Sequence, residues 1–123
     1  MIYVDFKVDE TGNVKNLSEE AAVLQGESNR TTFYFMLPPY IRGYNGLNYT
    51  QEIVFKSEKG QVLRFNMNNS EFALNREITA FKSVLVQLVL TNTEDEDEPI
   101  VWRSIPFKYD FIKSINAIKP KGE

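Results

Sequence analysis

Carboxylates are the main chemistry-bearing side chains of this sequence, because it contains no histidine and no cysteine. Histidine titrates near neutral pH, and cysteine is the readiest nucleophile and soft-metal ligand. Their absence removes the usual equipment of hydrolases, redox enzymes and zinc proteins. A pair of carboxyl groups can still hydrolyse glycosides, but no spacing selects a pair among the candidates. These are Asp5, Glu52, Glu71, Glu77 and Asp110. We therefore predict no enzyme, no catalytic residue, no metal and no cofactor.

The densest charge is a run of five consecutive acids that begins at Glu94 and ends at Glu98. Ca²⁺ takes several oxygen ligands, so adjacent carboxylates could hold it. Calcium loops usually place Gly or Asn between the acids to wrap the ion, and this run has neither. We favour a solvated hairpin tip whose charge discourages aggregation between the apolar strands on either side.

Aromatic side chains are the best candidates for binding. Tyr40, Tyr44 and Tyr49 lie in or beside a Gly- and Asn-rich loop, and Trp102 lies in a predicted strand. Tyrosine rings offer a large contact area at low entropic cost, so the loop could form an aromatic platform for a sugar or a protein partner. In the alternative interpretation, the rings belong to the rim of the core or to an oligomer contact. We favour that alternative for Trp102.

Length and charge limit the organisation and the partners. The chain has 123 residues and a net charge of −3, which predicts one domain; we place it at residues 1–118, with 119–123 as a tail or the start of a linker. Nucleic acid is not expected, because phosphate binding needs clustered cations and the arginines are scattered. No signal peptide is visible, and no stretch approaches the ~18 apolar residues of a membrane span. We expect no membrane partner.

The pattern of apolar and turn residues predicts an all-β protein. Strands are predicted over residues 2–8, 14–17, 31–37, 49–57, 62–67, 83–91 and 100–109. The run at 83–91 is nearly continuous in apolar residues, which is typical of a central strand buried on both faces. Imperfect alternation at 62–67 allows a bulge, and Pro106 favours an edge or a bulge. Asn75 can cap one helical turn, whereas residues 18–22 are too short to assign. We predict an antiparallel β-sandwich of about seven or eight strands, with at most one short helical turn.

The order of these segments resembles the N-terminal domains of baseplate or tail-fibre structural proteins from phages and prophages of Gram-positive bacteria. The similar segments are residues 2–8, 24–27, 31–37, 55–65, 72–74, 78–79, 84–90, 107–109 and 114–116. Proteins of this kind are small β-sandwiches that anchor a longer fibre or receptor-binding protein to the tail. No coiled coil or fibre segment follows here, so the resemblance implies either a chain cut near Lys119 or a short standalone subunit.

The resemblance implies a non-enzymatic structural domain of the virion tail, made in the host cytoplasm. Its expected partners are other tail or baseplate proteins and further copies of the same chain. Edge strands and the loop at residues 38–49 would carry these contacts. The rival hypothesis is a carbohydrate-binding module that uses Tyr40, Tyr44 and Tyr49, and a small carboxylate-dependent hydrolase is a third.

Overall fold

The computed structural model describes residues 2–27, 31–94 and 97–113, and within them most of the chain is β-strand. The strands are β1 (Ile2–Val8), β2 (Val14–Asn16), β3 (Thr31–Met36), β4 (Tyr40–Ile41), β5 (Tyr44–Asn45), β6 (Thr50–Ser57), β7 (Val62–Met67), β8 (Glu71–Ala73), β9 (Ser83–Asn92), β10 (Ile100–Arg103) and β11 (Phe107–Asp110). A 3₁₀ turn (Gly46–Asn48) and a helical turn α1 (Arg76–Thr79) complete the set. None of the helices in the described ranges is long and apolar enough to cross a membrane.

Two sheets pack face to face. The first has the order β2-β1-β3-β8 and the second the order β10-β9-β6-β7, with β11 beside β10 on the same side of β9. Aromatic rings join the two layers: the ring centroids of Phe6 and Phe107 lie 5.1 Å apart, and those of Phe33 and Tyr109 lie 4.9 Å apart. Burial raises the pKa of Tyr109. The predicted all-β sandwich is confirmed.

One strand pair departs from the predicted antiparallel arrangement. β1 and β3 run parallel, from the pair Ile2 and Thr31 to the pair Lys7 and Met36. Parallel neighbours need a crossover connection. Part of that connection is held against the segment that follows β11, where the amide of Gln25 donates to the carbonyl of Ile112 at 2.7 Å. The region 18–22, left unassigned by its sequence, forms turns and no helix.

The predicted helical turn has a structural counterpart. The Asn75 side chain accepts a hydrogen bond from the amide of Ile78 at 3.0 Å and so caps α1, as its position predicts. The 3₁₀ turn at Gly46–Asn48 is a second helical turn, one more than predicted. It is capped in a similar way, because the Asn45 side chain accepts from the amide of Leu47 at 2.8 Å.

Strand β9 is central, with β6 on one side and β10 and β11 on the other. The prediction that both its faces are buried is correct for one face and only in part for the other. Val84, Val86 and Leu88 point into the core, whereas on the opposite face Leu85 is 45% exposed and Val89 is 9% exposed. No further layer covers the outer face of this sheet within the described residues. Continuous apolar sequence here therefore does not mean burial on both faces.

Pro106 lies at a bulge, as its sequence context predicts. Arg103 pairs with Val89, but Phe107 pairs with Val86. Three residues of the edge strand therefore stand opposite two of β9, and the missing amide of proline falls within that irregularity. The bulge allowed for β7 does not occur: its pairing with β6 is continuous from Val62 to Met67.

Candidate functional site

The predicted loop after the double proline folds into a small hairpin. Tyr40 pairs with Asn45 and Ile41 pairs with Tyr44, and the turn between the strands has positive φ at Arg42 and Gly43 (52° and 84°). Two such residues define the type I′ turn that fits the twist of a hairpin. Directly opposite side chains share a face and neighbours along a strand alternate. Tyr40 and Tyr44 therefore lie on opposite faces of the hairpin.

The four predicted aromatic residues occupy different environments. Tyr40 is 55% exposed, Tyr44 packs at the edge of the core, and Tyr49 is only 5% exposed. The Tyr49 hydroxyl donates to the carbonyl of Ile41 at 2.6 Å, and burial raises the pKa of this phenol, against an opposing effect of the Arg42 cation. Trp102 is buried in β10 and donates through Nε1 to the carbonyl of Glu10 at 3.3 Å. The structure thus does not bring the tyrosines onto one exposed surface, and ligand binding by these four residues stays a prediction.

A shallow groove runs beside the hairpin. One part, of about 420 Å³, is lined by the end of β3, the double proline and the 3₁₀ turn. It continues into a larger part, of about 690 Å³, at the turn between β7 and β8. Leu47 borders both parts and is 90% exposed. The sequence did not indicate that Leu47 is exposed at a groove, because a single leucine in a polar loop forms no periodic pattern with other apolar residues.

The turn at one side of the groove is held in an uncommon backbone conformation. Asn69 and Ser70 both have positive φ (53° and 63°), which costs free energy in a residue with a Cβ atom. The Gln51 side chain clamps Ser70, because Oε1 accepts from the Ser70 amide at 2.8 Å and Nε2 lies 3.2 Å from the Ser70 hydroxyl. The Phe35 amide donates to the carbonyl of Ser70 at 2.9 Å. This wall of the groove is therefore pre-organised.

The acids considered for catalysis or metal binding are dispersed. Glu52 accepts a hydrogen bond from the guanidinium of Arg64 at 3.0 Å. Asp5 and Glu71 stand on either side of Tyr34 in one cross-strand row on the outer face of the first sheet. Within the described residues, no group of three or more acids is placed to hold a metal ion. Two members of the acidic run, at positions 95 and 96, lie outside the described residues.

The edges of the sheets differ in how they are covered. β2 and β8 have three residues each, too few to offer a long edge. The edge formed by β10 and β11 is covered in the middle, where the amide of Ile105 donates to the carbonyl of Gly12 at 2.8 Å. β7 has six residues and pairs with β6 alone among the described strands. It is the longest uncovered edge in the described part of the chain.

Comparison with known proteins gives matches among solved structures, but none among family models or curated sequences. Among solved structures, the chain is similar to the N-terminal domain of phage TP901-1 ORF48, with a TM-score of 0.54 and 9% sequence identity. The match covers 92% of this chain and 98% of that domain. The resemblance to a phage N-terminal domain, inferred from segment order, is therefore confirmed as a likeness of fold.

Proposed function

We propose that this chain is a non-enzymatic structural domain of a phage tail or baseplate and acts through protein–protein contacts in an oligomeric assembly. The observation that carries the proposal is the fold match, which covers nearly all of both chains. The matched domain is the N-terminal domain of a phage protein. The likeness extends over the whole domain and is not confined to one motif.

The surface of the domain supports a role in assembly. Large apolar side chains are exposed at the hairpin region (Tyr40 and Leu47), and the β7 edge leaves backbone groups available for pairing. Both features are typical of protein-binding surfaces. The core beneath them is continuous and rich in aromatic contacts, so these surfaces are presented on a rigid support. Location in the virion tail, after synthesis in the host cytoplasm, is part of the same proposal.

The absence of catalysis is also proposed, on the basis of the acids. Glu52 is engaged by Arg64, and the row that contains Asp5 and Glu71 lies on an outer sheet face. Catalytic carboxylates are normally tuned by burial in a cleft. Neither arrangement offers such a cleft to a substrate.

The role in the virion is tested by labelling. A short epitope inserted at the exposed turn that contains Lys59 and Gly60 should leave the fold intact, because this turn projects from the β6–β7 hairpin. In the phage or prophage that encodes the chain, gold-labelled antibody should then decorate the distal end of the tail in electron micrographs. A matched epitope on the major capsid protein serves as the control. Purified virions that carry label on the capsid control but none for this chain would refute the role.

Carbohydrate binding is a second candidate, favoured by one observation. The exposed Tyr40 ring borders the groove, whose lining includes the amide side chains of Asn45 and Gln51. An aromatic face beside amides is a common arrangement for sugars. In affinity gels that contain cell-wall polysaccharide, retardation that disappears in Tyr40→Ala and persists in Tyr3→Ala would support this candidate. Equal mobility in gels with and without polysaccharide would remove it.

A further inference from the structure

The outward side of β7 presents backbone groups at alternate residues. The amide of Ser57 donates to the carbonyl of Gln61 at 2.8 Å, which makes this pair a hydrogen-bonded pair of the β6–β7 ladder. In an antiparallel ladder, such pairs alternate with pairs whose backbone groups point away. With the continuous register from Lys56 and Val62 onwards, the N–H and C=O groups of Val62, Arg64 and Asn66 therefore point to the uncovered side.

The apolar side chains of β7 are incompletely covered at the same edge. Leu63 and Phe65 point toward the core but remain only half-buried, whereas their partners on β6, Phe55 and Ile53, are fully buried. The Phe65 ring lies 5.1 Å from that of Phe72 and 6.1 Å from that of Phe55. Phe65 is thus the outermost member of an aromatic cluster that continues inward. An added strand would bury this apolar rim and pair the free amides.

We propose that β7 pairs with β7 of a second copy, antiparallel about a two-fold axis at Phe65. In this register, Arg64 forms a hydrogen-bonded pair with Asn66 of the partner subunit, and this pair exchanges two backbone hydrogen bonds. The two-fold axis generates a second, equivalent pair, so the interface has four backbone hydrogen bonds. Leu63 stands opposite Met67 of the partner subunit on the core side. The two Phe65 rings face each other and join the aromatic clusters of both copies.

Charge and residue type select this register and this occupant. A two-fold axis at Arg64 would place two guanidinium groups directly opposite each other, which is destabilising. The axis at Phe65 instead places each arginine beside an asparagine, while its own Glu52 remains 3.0 Å away. The strand carries no proline and no inward-pointing charge, which are the usual obstacles to edge pairing. The pattern of apolar residues at 63, 65 and 67 is symmetric about Phe65, so a second copy fits it without further sequence requirements.

This inference rests on the proposed assembly role and names one surface that serves it. The pairing joins the second sheets of two copies into one continuous sheet. The two proposals are tested separately. If the purified chain stays monomeric, the β7 pairing fails but the tail can still be labelled. If the tail is not labelled, the virion role fails but the β7 pairing in solution is unaffected.

Single cysteines report the pairing directly, since the chain has none of its own. Opposite residues of a non-hydrogen-bonded pair have Cα atoms about 4.5 Å apart, within the roughly 4.4–6.8 Å span of a disulfide. Phe65→Cys should therefore form a disulfide-linked dimer under mild oxidation. Leu63→Cys and Arg64→Cys should not, because each lies more than about 7 Å from its own copy in this register. Linkage at position 64, or at none of the three, would overturn the proposal; the latter result assigns the edge to a strand of another protein.

Proline variants test the hydrogen bonds with the wild-type core in place. Asn66→Pro removes an outward amide from each copy and leaves the β6–β7 ladder intact. We expect it to raise the dimer dissociation constant about 30-fold, since two of four interface hydrogen bonds are lost. Val62→Pro is the matched control, because it also removes an outward amide but one outside the paired segment. Light scattering and sedimentation should show weakened dimers for the first variant alone, with unchanged circular dichroism for both. Dimers that survive Asn66→Pro would place self-association on another surface and overturn the β7 pairing.

Discussion

Substitution of Gly12 by alanine tests how closely the β1–β2 turn covers the edge formed by β10 and β11. Gly12 has a φ of +94°, and a Cβ atom at this position would lie 3.2 Å from the amide nitrogen of Ile105 and 3.4 Å from the carbonyl oxygen of Arg103. Both neighbours are backbone atoms, so they cannot move aside as a flexible side chain would. The same turn accepts the Ile105 amide at 2.8 Å. Alanine is therefore expected to disturb the contact that closes this edge.

The magnitude follows from two separate costs. A left-handed backbone costs an L-residue about 1–2 kcal/mol. Crowding against fixed backbone adds about 1–2 kcal/mol, by analogy with overpacked cores. The total of about 2–4 kcal/mol is a large share of the roughly 5–15 kcal/mol by which a domain is stable. Urea unfolding followed by tryptophan fluorescence measures it, because Trp102 lies in β10 next to the contact.

Gly60 provides the matched control. Its φ is +87°, but nothing lies within 4 Å of the Cβ atom that alanine would add. Gly60→Ala should therefore show the conformational cost alone, and the stabilisation of each variant through its less flexible unfolded state cancels in the comparison. If Gly12→Ala and Gly60→Ala lower the free energy of unfolding by the same amount, the turn does not press on the edge strand, and the assignment of Gly12 as the cover of that edge is refuted.

Three further predictions concern the core, the hairpin and the acid limit. Phe33→Ala should lower the free energy of unfolding by about 3–5 kcal/mol, since this buried ring touches Phe6 and Tyr109; a loss below 1 kcal/mol in urea unfolding would contradict its place at the centre of the core. Tyr49→Phe should cost about 0.5–1.5 kcal/mol by removing the buried hydrogen bond from the phenol to the Ile41 carbonyl, whereas Tyr40→Phe should change the unfolding midpoint little, and equal effects would argue against the buried hydrogen bond. The pKa of Asp9 is lowered, chiefly by the hydrogen bond from the Thr11 hydroxyl. The ionised carboxylate therefore stabilises the folded state above the unfolded pKa of 3.8, and this stabilisation is lost as pH falls through the lower folded pKa. The stability difference between wild type and Asp9→Ala should therefore be constant near neutral pH and shrink in strongly acidic solution; a difference that grows on acidification would contradict this sign.

Local patterns predicted the elements well, because they depend on neighbouring residues. The alternation in β1 fixes which side chains face inward, and the proline pair marks the end of β3. Asn75 caps α1 through a bond to a residue only three positions away. Each of these features is decided within a few residues, so one sequence contains enough information to place it.

Features that depend on distant contacts could not be read in this way. The parallel pairing of β1 and β3 depends on the path of the connecting segment, which is held by contacts to Ile112. Whether Tyr49 points outward is decided by the closure of the β4–β5 hairpin, whose Ile41 carbonyl takes the phenol hydrogen bond. The positive φ of Ser70 is tolerated because Gln51, 19 positions earlier, clamps it. The predicted aromatic platform depended on the orientation of rings that only these contacts determine.

The outer face of the second sheet bears on how copies of this chain associate. Lys56, Leu85 and Lys108 form one cross-strand row, and Arg64 and Arg103 lie on the same face. Glu52 and Asp110 lie on this face too, 3.0 Å from Arg64 and 3.7 Å from Lys108, but Lys56 and Arg103 leave an excess of positive charge. Stacking two such faces would bring these excess cations together, which costs free energy. The cations around the exposed Leu85 side chain therefore oppose stacking of two copies through this face. Association in the plane of the sheet, through an edge, avoids that repulsion and pairs backbone groups that stacking would leave unchanged. Reversal of the two lysines to glutamate should consequently leave the disulfide yield of Phe65→Cys unaltered, whereas a marked change in that yield would indicate that copies meet through their faces.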